Sequence, residues 1–324
     1  MLNPTIDHVH EVEHFKVGGT FKIKATQVFP VGKAISVALG LRTLDEHPSV
    51  IALIGKDDID TYRKFLQSNS IPATLVPVDG ATRHNTTIVD PLEGTVTHLR
   101  EAGFTAGKKH VQAIEKTIKS LPRVNPCWVL FSGSLPPGLP DDTYARLVNY
   151  CDNLGFKTLI DVSGMPLKKI MEQHKLCVLK INNIELDYLL GRHPDDTEKK
   201  EDTRPLSAED LSSIARDARK LLDDRMECVS ITLGAEGGLY VMKAGAYHGK
   251  IQDPSGIKVV NTVGAGDAYF AGMIHAMLHG EQPAAVLTEA IASATAKILV
   301  HGAGIFSKAD HDAFTARVRV TKLP

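Results

Sequence analysis

The segment Asn261-Thr262-Val263-Gly264-Ala265-Gly266-Asp267-Ala268 crowds small residues into one turn and runs into an apolar stretch through Phe270, Ile274 and Leu278. Glycines at a helix start let backbone N–H groups point at an anion that the helix dipole also favours, so a transferring phosphoryl group fits there. Asp267 then lies within reach of an attacking hydroxyl, as a general base must. A tight turn with an acidic residue in its first helical turn produces the same pattern, and spacing alone leaves both readings open. A dinucleotide-binding turn does not fit. Gly264-x-Gly266 is followed by Tyr269 where a third Gly or Ala belongs, and no βαβ unit follows.

Other residues carry weaker signals. Asn182-x-x-Glu185 has the form of a capping box, in which both side chains satisfy backbone donors at a helix start. Gly32-Lys33 is not a P-loop, because Ala34 stands where Ser or Thr belongs and no Gly lies five positions before Gly32. His275 and His279 are one helical turn apart, but His-Ala-Met-Leu-His lacks the Glu of a zinc protease helix. Ser132 and Ser134 lack a Gly-x-Ser-x-Gly elbow, so a hydrolase nucleophile has no support and a substrate contact is the better reading.

The elements that must position these residues are clearest from about residue 109 onward, where helical and strand patterns alternate as in a parallel sheet covered by helices. Tyr144, Leu147, Val148, Cys151 and Leu154 form one stripe of a helix over Asp141 to Leu154, stopped by Gly155. Leu211, Ile214, Ala215, Ala218, Leu221 and Leu222 form a second stripe behind a Ser207 cap, with Glu209 and Asp210 in its first turn. Trp128 to Phe131, Lys157 to Ile160, Cys177 to Ile181 and Cys228 to Thr232 are continuous apolar runs, as strands buried on both faces should be. The fold class is therefore α/β with a doubly wound, mostly parallel sheet. Val9 to Gln27 and His84 to Arg100 read instead as hairpins outside that core, and Asp195 to Arg204 as a solvated loop.

The 324 residues are 43% hydrophobic and 23% charged, which excludes disordered and fibrous classes. With 37 Lys+Arg against 38 Asp+Glu, no net field draws the chain to nucleic acid or anionic lipid, so any anion must be caught locally. The 4 cysteines lie far apart without a C-x-x-C pair, so neither a disulfide framework nor a zinc site is suggested. No apolar run approaches the ~20 residues of a membrane span and no signal peptide is apparent, so the expected location is the cytoplasm.

Gly-Ala-Gly-Asp after Asn-Thr-Val resembles the C-terminal signature of the ribokinase-like (PfkB) sugar kinases. Ser132-Gly133-Ser134-Leu135-Pro136-Pro137-Gly138, Ile160-Asp161-Val162-Ser163-Gly164, Lys180-Ile181-Asn182-x-x-Glu185-Leu186 and Thr232-Leu233-Gly234-Ala235-Glu236-Gly237 resemble that family's other blocks in order and spacing. Leu2-Asn3-Pro4-x-Ile6-Asp7 and Thr82-Arg83-x-Asn85 resemble the 1-phosphofructokinase and tagatose-6-phosphate kinase subgroup. The resemblance implies a ribokinase-like domain over residues 1–324 with a small β-sheet lid from segments near 8–30 and 84–101. It implies ATP as phosphoryl donor, Mg2+ as cofactor and a sugar phosphate as acceptor.

Residue by residue, the resemblance makes Asp267 the general base and the amides of Gly264, Ala265 and Gly266 the anion hole. Asp7, Gly32, Lys33, Arg83, Asn85 and Ser134 fall in the sugar site, with Lys33 and Arg83 clamping a phosphate on the substrate. Lys180, Asn182, Glu185, Thr232, Gly234, Ala235 and Gly237 fall in the nucleotide site, Asn182 and Glu185 ordering Mg2+ through water and the phosphates. Gly234 and Gly237 equally suit a plain β-turn.

The sequence departs from the family where Gly-Gly-Lys-Gly-x-Asn reads Val31-Gly32-Lys33-Ala34-Ile35-Ser36, so Val31 is expected to narrow the ligand's approach and Ser36 to reach less far than Asn. The residues that normally form the first core strand are largely missing before Leu2, so either that strand is short or the start is truncated. Apolar residues on a two-sided lid, Val9, Phe15, Phe21, Ile23 and Ile88, suggest a homodimer through the lid. The alternatives are a ribokinase-like kinase of an unphosphorylated sugar or nucleoside, and a non-catalytic ligand-binding homologue.

Overall fold

The computed structural model describes residues 1–122, 127–173, 176–194, 205–302 and 304–324, so the charged run at 195–204 lies outside the described residues. The N-terminal third contains β1 (Thr5–Glu11), β2 (Ala25–Val31), α1 (Lys33–Thr43), β3 (Val50–Gly55), α2 (Ile59–Ser68), β4 (Ala73–Val78), β5 (Arg83–Asp90) and β6 (Thr95–Leu99). Then follow α3 (Lys108–Lys119), β7 (Trp128–Ser132), α4 (Thr143–Asn153), β8 (Lys157–Asp161), α5 (Gly164–Met171), β9 (Val178–Asn182), α6 (Asn183–Leu189), α7 (Ala208–Arg219) and β10 (Cys228–Thr232). The chain continues through β11 (Gly238–Met242), β12 (Gly245–Ile251), α8 (Ala265–Leu278), α9 (Pro283–Lys297), α10 (Lys308–Thr315) and β13 (Val318–Leu323).

A 7-stranded sheet in the order β13-β12-β11-β10-β9-β8-β7 forms the centre. β7 to β10 are parallel, whereas β11, β12 and β13 extend the sheet antiparallel. Successive residues of a strand point to opposite faces, and the apolar runs obey this. Ile160, Leu179 and Val229 join Tyr144, Leu147 and Val148 of α4 on one face. Leu159, Val178 and Cys228 join Phe270 and Met273 of α8 and Leu287 and Ile291 of α9 on the other. Buried on both sides, the four parallel strands end together, presenting Ser132, Asp161, Asn182 and Thr232 at one edge of the sheet. Doubly wound sheets bind ligands at that edge.

The α/β alternation starts earlier than the sequence pattern suggests. β3, α2 and β4 form a parallel βαβ unit, its core residues Ala52, Ile54, Tyr62 and Leu66 buried together. Met1 runs alongside β3, its carbonyl accepting from the Leu53 amide at 3.2 Å, without forming a strand of its own. The two hairpins join into one 4-stranded lid sheet, β2-β1-β5-β6, because β1 pairs parallel with β5. Its strands begin at Thr5 and Arg83, before the expected lid boundaries, which puts Asp7, Arg83 and Asn85 on the lid itself. No helix among the described residues is long and apolar enough to cross a membrane.

Candidate active site

The turn before α8 has the predicted form. Gly264 caps the helix in the left-handed region at φ 82, which a side chain would resist, and Asp267 follows in the first turn, 7% exposed. The Ala265 amide closes this turn onto the Thr262 carbonyl at 3.1 Å, so of the three expected anion-hole amides it is already committed. An atom at the Cβ position of Gly266 would lie 3.1 Å from Lys180 Nζ, so a cation faces the turn.

Beside the turn lies an ion cluster centred on the buried Asp161, a residue whose sequence neighbourhood suggests no role. Asp161 Oδ1 accepts from Lys180 Nζ at 3.1 Å and Lys33 Nζ at 3.2 Å, and Oδ2 accepts from the Ser132 hydroxyl at 3.1 Å. Burial opposes ionisation of Asp161, but the two ammonium groups outweigh it and hold the carboxyl below its ordinary range. Asp267 moves the opposite way. Burial and then the negative charge of Asp161 push it up, against Lys33, Lys180 and a hydrogen bond from the Ser36 hydroxyl. Two carboxyls driven apart in this manner suit different tasks, one a permanent counter-charge and one a proton acceptor. Burial works against the Lys33 ammonium, yet Asp161, Asp267 and Glu185 raise it, so it stays charged.

Asn182 and Glu185 form the anticipated capping box, each side chain taking the other's backbone amide at 2.8 Å. Burial raises the Glu185 carboxyl while Lys33 and Lys180 oppose, which puts it in the same electrostatic neighbourhood. Gly234 and Ala235 form a single 3-10 turn after Thr232. The glycine at 237 has a structural reason of its own: at φ 80, a Cβ there would sit 2.0 Å from the Gly249 carbonyl of β12.

Across a narrow cleft, Asp7, Phe29 and Thr87 of the lid face Asn261, Val263 and Gly302 of the core. Asp7 Oδ1 accepts from Thr5 Oγ1 at 2.8 Å and Asn85 Nδ2 at 3.2 Å, while burial raises its carboxyl. Asn85 Oδ1 is buried without a hydrogen-bond partner. Arg83 donates to the carbonyls of Pro4 at 3.1 Å and Asn3 at 3.2 Å. Lys33 meanwhile donates to Asp161 in the core. Ser134 Oγ accepts from Asn3 Nδ2 at 3.0 Å.

One expectation for the altered block is corrected. Val31 packs into the cluster of Ile6, Ile35 and Ala38, so it does not narrow a ligand's approach. Ser36 is buried. His275 and His279 share Glu46 Oε1, at 2.7 and 2.8 Å.

A buried acid, two cations and a glycine-capped helix thus meet at the strand ends. Residues 2–310 match the family described as pfkB family carbohydrate kinase. The chain belongs to that family. As a member it is a phosphotransferase acting on an alcohol group, which overturns the non-catalytic alternative. It is 29% identical over 279 residues to a 1-phosphofructokinase of Rhodobacter capsulatus, covering 86% of this chain and 83% of the relative. Its fold is similar to that of phosphofructokinase-2 from Escherichia coli solved with substrates and products, at TM-score 0.84 and 21% identity over 97% of this chain and 96% of that one. It is also similar to a ribokinase from Thermotoga maritima, at TM-score 0.70 and 22% identity over 97% of this chain and 98% of that one.

Proposed function

We propose that the enzyme transfers the γ-phosphoryl group of ATP to a hydroxyl of a sugar phosphate of the fructose 1-phosphate, fructose 6-phosphate or tagatose 6-phosphate type. The observation that carries this reading is the raised, buried Asp267 in the first turn of α8, with Lys180 over the glycine turn and Lys33 beside Asp161. Asp267 takes the proton of the attacking hydroxyl. Lys33 and Lys180 stabilise charge on the group in transit, which is most of what phosphoryl transfer asks of a protein. In this reading Lys33 serves the transferred group, and Arg83 serves the phosphate already on the sugar. Asp7 and the unpartnered Asn85 Oδ1 receive sugar hydroxyls.

Mg2+ prefers oxygen donors and keeps much of its water, and Glu185 fits that demand, with Oε2 committed to Asn182 and its charge directed toward the two lysines. When bound, Mg2+ screens the triphosphate. Asn182, Thr232 and the turn Gly234 to Gly237 border the nucleotide at the ends of β9 and β10. Lid closure excludes water, whose attack would waste ATP. Val17, Ile23, Val28, Val96 and Leu99 are exposed on the lid, which supports pairing of two lids in a homodimer.

A second reading, an unphosphorylated sugar as acceptor, draws on the engagement of Arg83 with Asn3 and Pro4. A panel of sugar phosphates and free sugars, followed by ADP release with ATP and Mg2+, tests both. Turnover of a ketose phosphate at least tenfold more efficient than of any free sugar is the expected outcome; preference for a free sugar selects the second reading.

A further inference from the structure

Lys297, the last residue of α9, is a charged side chain for which the site above has no use. It is 0% exposed, and its ammonium donates to two backbone carbonyls, Asn261 O at 3.3 Å and Val300 O at 3.2 Å. Among the described residues no carboxylate pairs with it directly, and Asp267 is the one acid near enough to favour its charged form. Burial pulls it down to about 8, so the ammonium persists at neutral pH. Buried charges are normally matched by an opposite charge. An interior cation held by carbonyl oxygens has instead the surroundings of a bound monovalent ion.

The carbonyls it holds belong to the segments that shape the phosphate turn. The amides of Val260 and Asn261 both donate to the Ile298 carbonyl, at 2.7 and 3.2 Å. Asn261 Oδ1 then accepts from the Val263 amide at 2.9 Å, and Thr262 O from the Ala265 amide at 3.1 Å. The strand of chain entering Gly264 is thus fastened to the end of α9 through its amides, and Lys297 fastens it through a carbonyl.

We infer that the Lys297 ammonium is a monovalent cation built into the chain: bridging Asn261 and Val300, it does the work a free potassium or ammonium ion would do in that position and so fixes the turn that aims Gly264 and Gly266 at the transferred phosphoryl group. Lys297 is a positioning residue that acts through the turn. The inference rests on the kinase reading above.

Lys297→Ala opens space for an ion, whereas Lys297→Met fills the stem and leaves neither charge nor space. With choline as the only other cation, wild-type turnover is expected to be unchanged by potassium or ammonium. Both variants lose about tenfold or more in kcat, since small misplacements of positioning groups cost that much, with KM for the sugar little altered. About 100 mM potassium or ammonium restores most of the loss in Lys297→Ala and none in Lys297→Met. Independently of turnover, the same salts raise the Tm of Lys297→Ala by about 2 °C over choline and leave wild type and Lys297→Met unmoved. Wild-type kcat in Lys297→Met, or a folded Lys297→Ala whose Tm and kcat ignore every monovalent cation, overturns the inference. If Lys297→Ala does not fold, the kcat of Lys297→Met decides. If wild type phosphorylates no sugar at all, the kinase reading has failed, and the Tm measurements still decide the cation site.

Discussion

The charged cluster of the core and that of the lid are stabilised differently. On the core side, Asp161 is 2% exposed and is held by three donors from β7, β9 and the start of α1. On the lid side, Asp7 is held by a neighbour two residues away and by Asn85 on the adjoining strand, in a ribbon whose opposite face leaves Val28 and Leu99 exposed. Asp161 and Lys180 are both buried, so losing either one strands the other's charge, whereas Lys33 reaches in from a part-exposed position. The lid residues sit on a separate four-stranded sheet outside the central one. Rate should therefore depend on the core and substrate choice on the lid.

The largest expected effect breaks the core. Asp161→Ala leaves Lys180 buried without its carboxylate and is expected to cost about 3 kcal/mol or more of stability, read by chemical denaturation. A loss under about 1 kcal/mol would mean that solvent already screens the cluster. Asp267→Asn keeps shape and removes the base, so kcat should fall by ~10² or more with KM little changed. Near-normal kcat in the folded variant would leave α8 with a turn and no base. Arg83→Ala tests the lid: kcat/KM for a sugar phosphate should fall roughly ten- to a hundredfold, and for a free sugar far less. Equal losses on both would point to damage of the lid rather than a lost phosphate contact.

Smaller effects sharpen the contrast. As a base Asp267 must be ionised, and its carboxyl is raised, so activity should fall as pH drops through a range above the ordinary carboxylate value of 3.8. Asp161→Asn removes a negative neighbour, lowers the Asp267 carboxyl and should move this acid limb to lower pH. A limb that stays put would show burial alone to be responsible. Finally, Val28→Asp on the exposed lid face should split a dimer in light scattering while leaving core stability unchanged; a wild-type monomer with full activity would remove the lid dimer.

How legible all this was from sequence depends on distance along the chain. Ser207 with Asp210 and Asn182 with Glu185 each complete a capping box within four residues, and both stand where the pattern put them. The turn at Gly264 is equally local. Asp161 escaped because Lys33 lies 128 residues away, and nothing in either neighbourhood announces the other. Lys297 reads as an ordinary basic residue in the last turn of a helix, since its burial is set by elements folded over it. The unit β3, α2 and β4 was hidden for a different reason: it sits between two lid hairpins, whose β-rich composition dominates the first hundred residues.

The distance that hides Asp161 also bears on synthesis at the ribosome. Lys33 emerges early, but Asp161 follows 128 residues later and Asp267 later still, while α1 packs against α8. Chains grow at about 5–20 residues per second, so this lysine spends on the order of ten seconds without either acid. The lid strands β1, β2, β5 and β6 are all made within the first hundred residues and can pair during that wait. A growing chain thus displays an apolar ribbon before the core that anchors it exists. The stage most exposed to premature association between neighbouring nascent chains is accordingly the one before α8 leaves the tunnel.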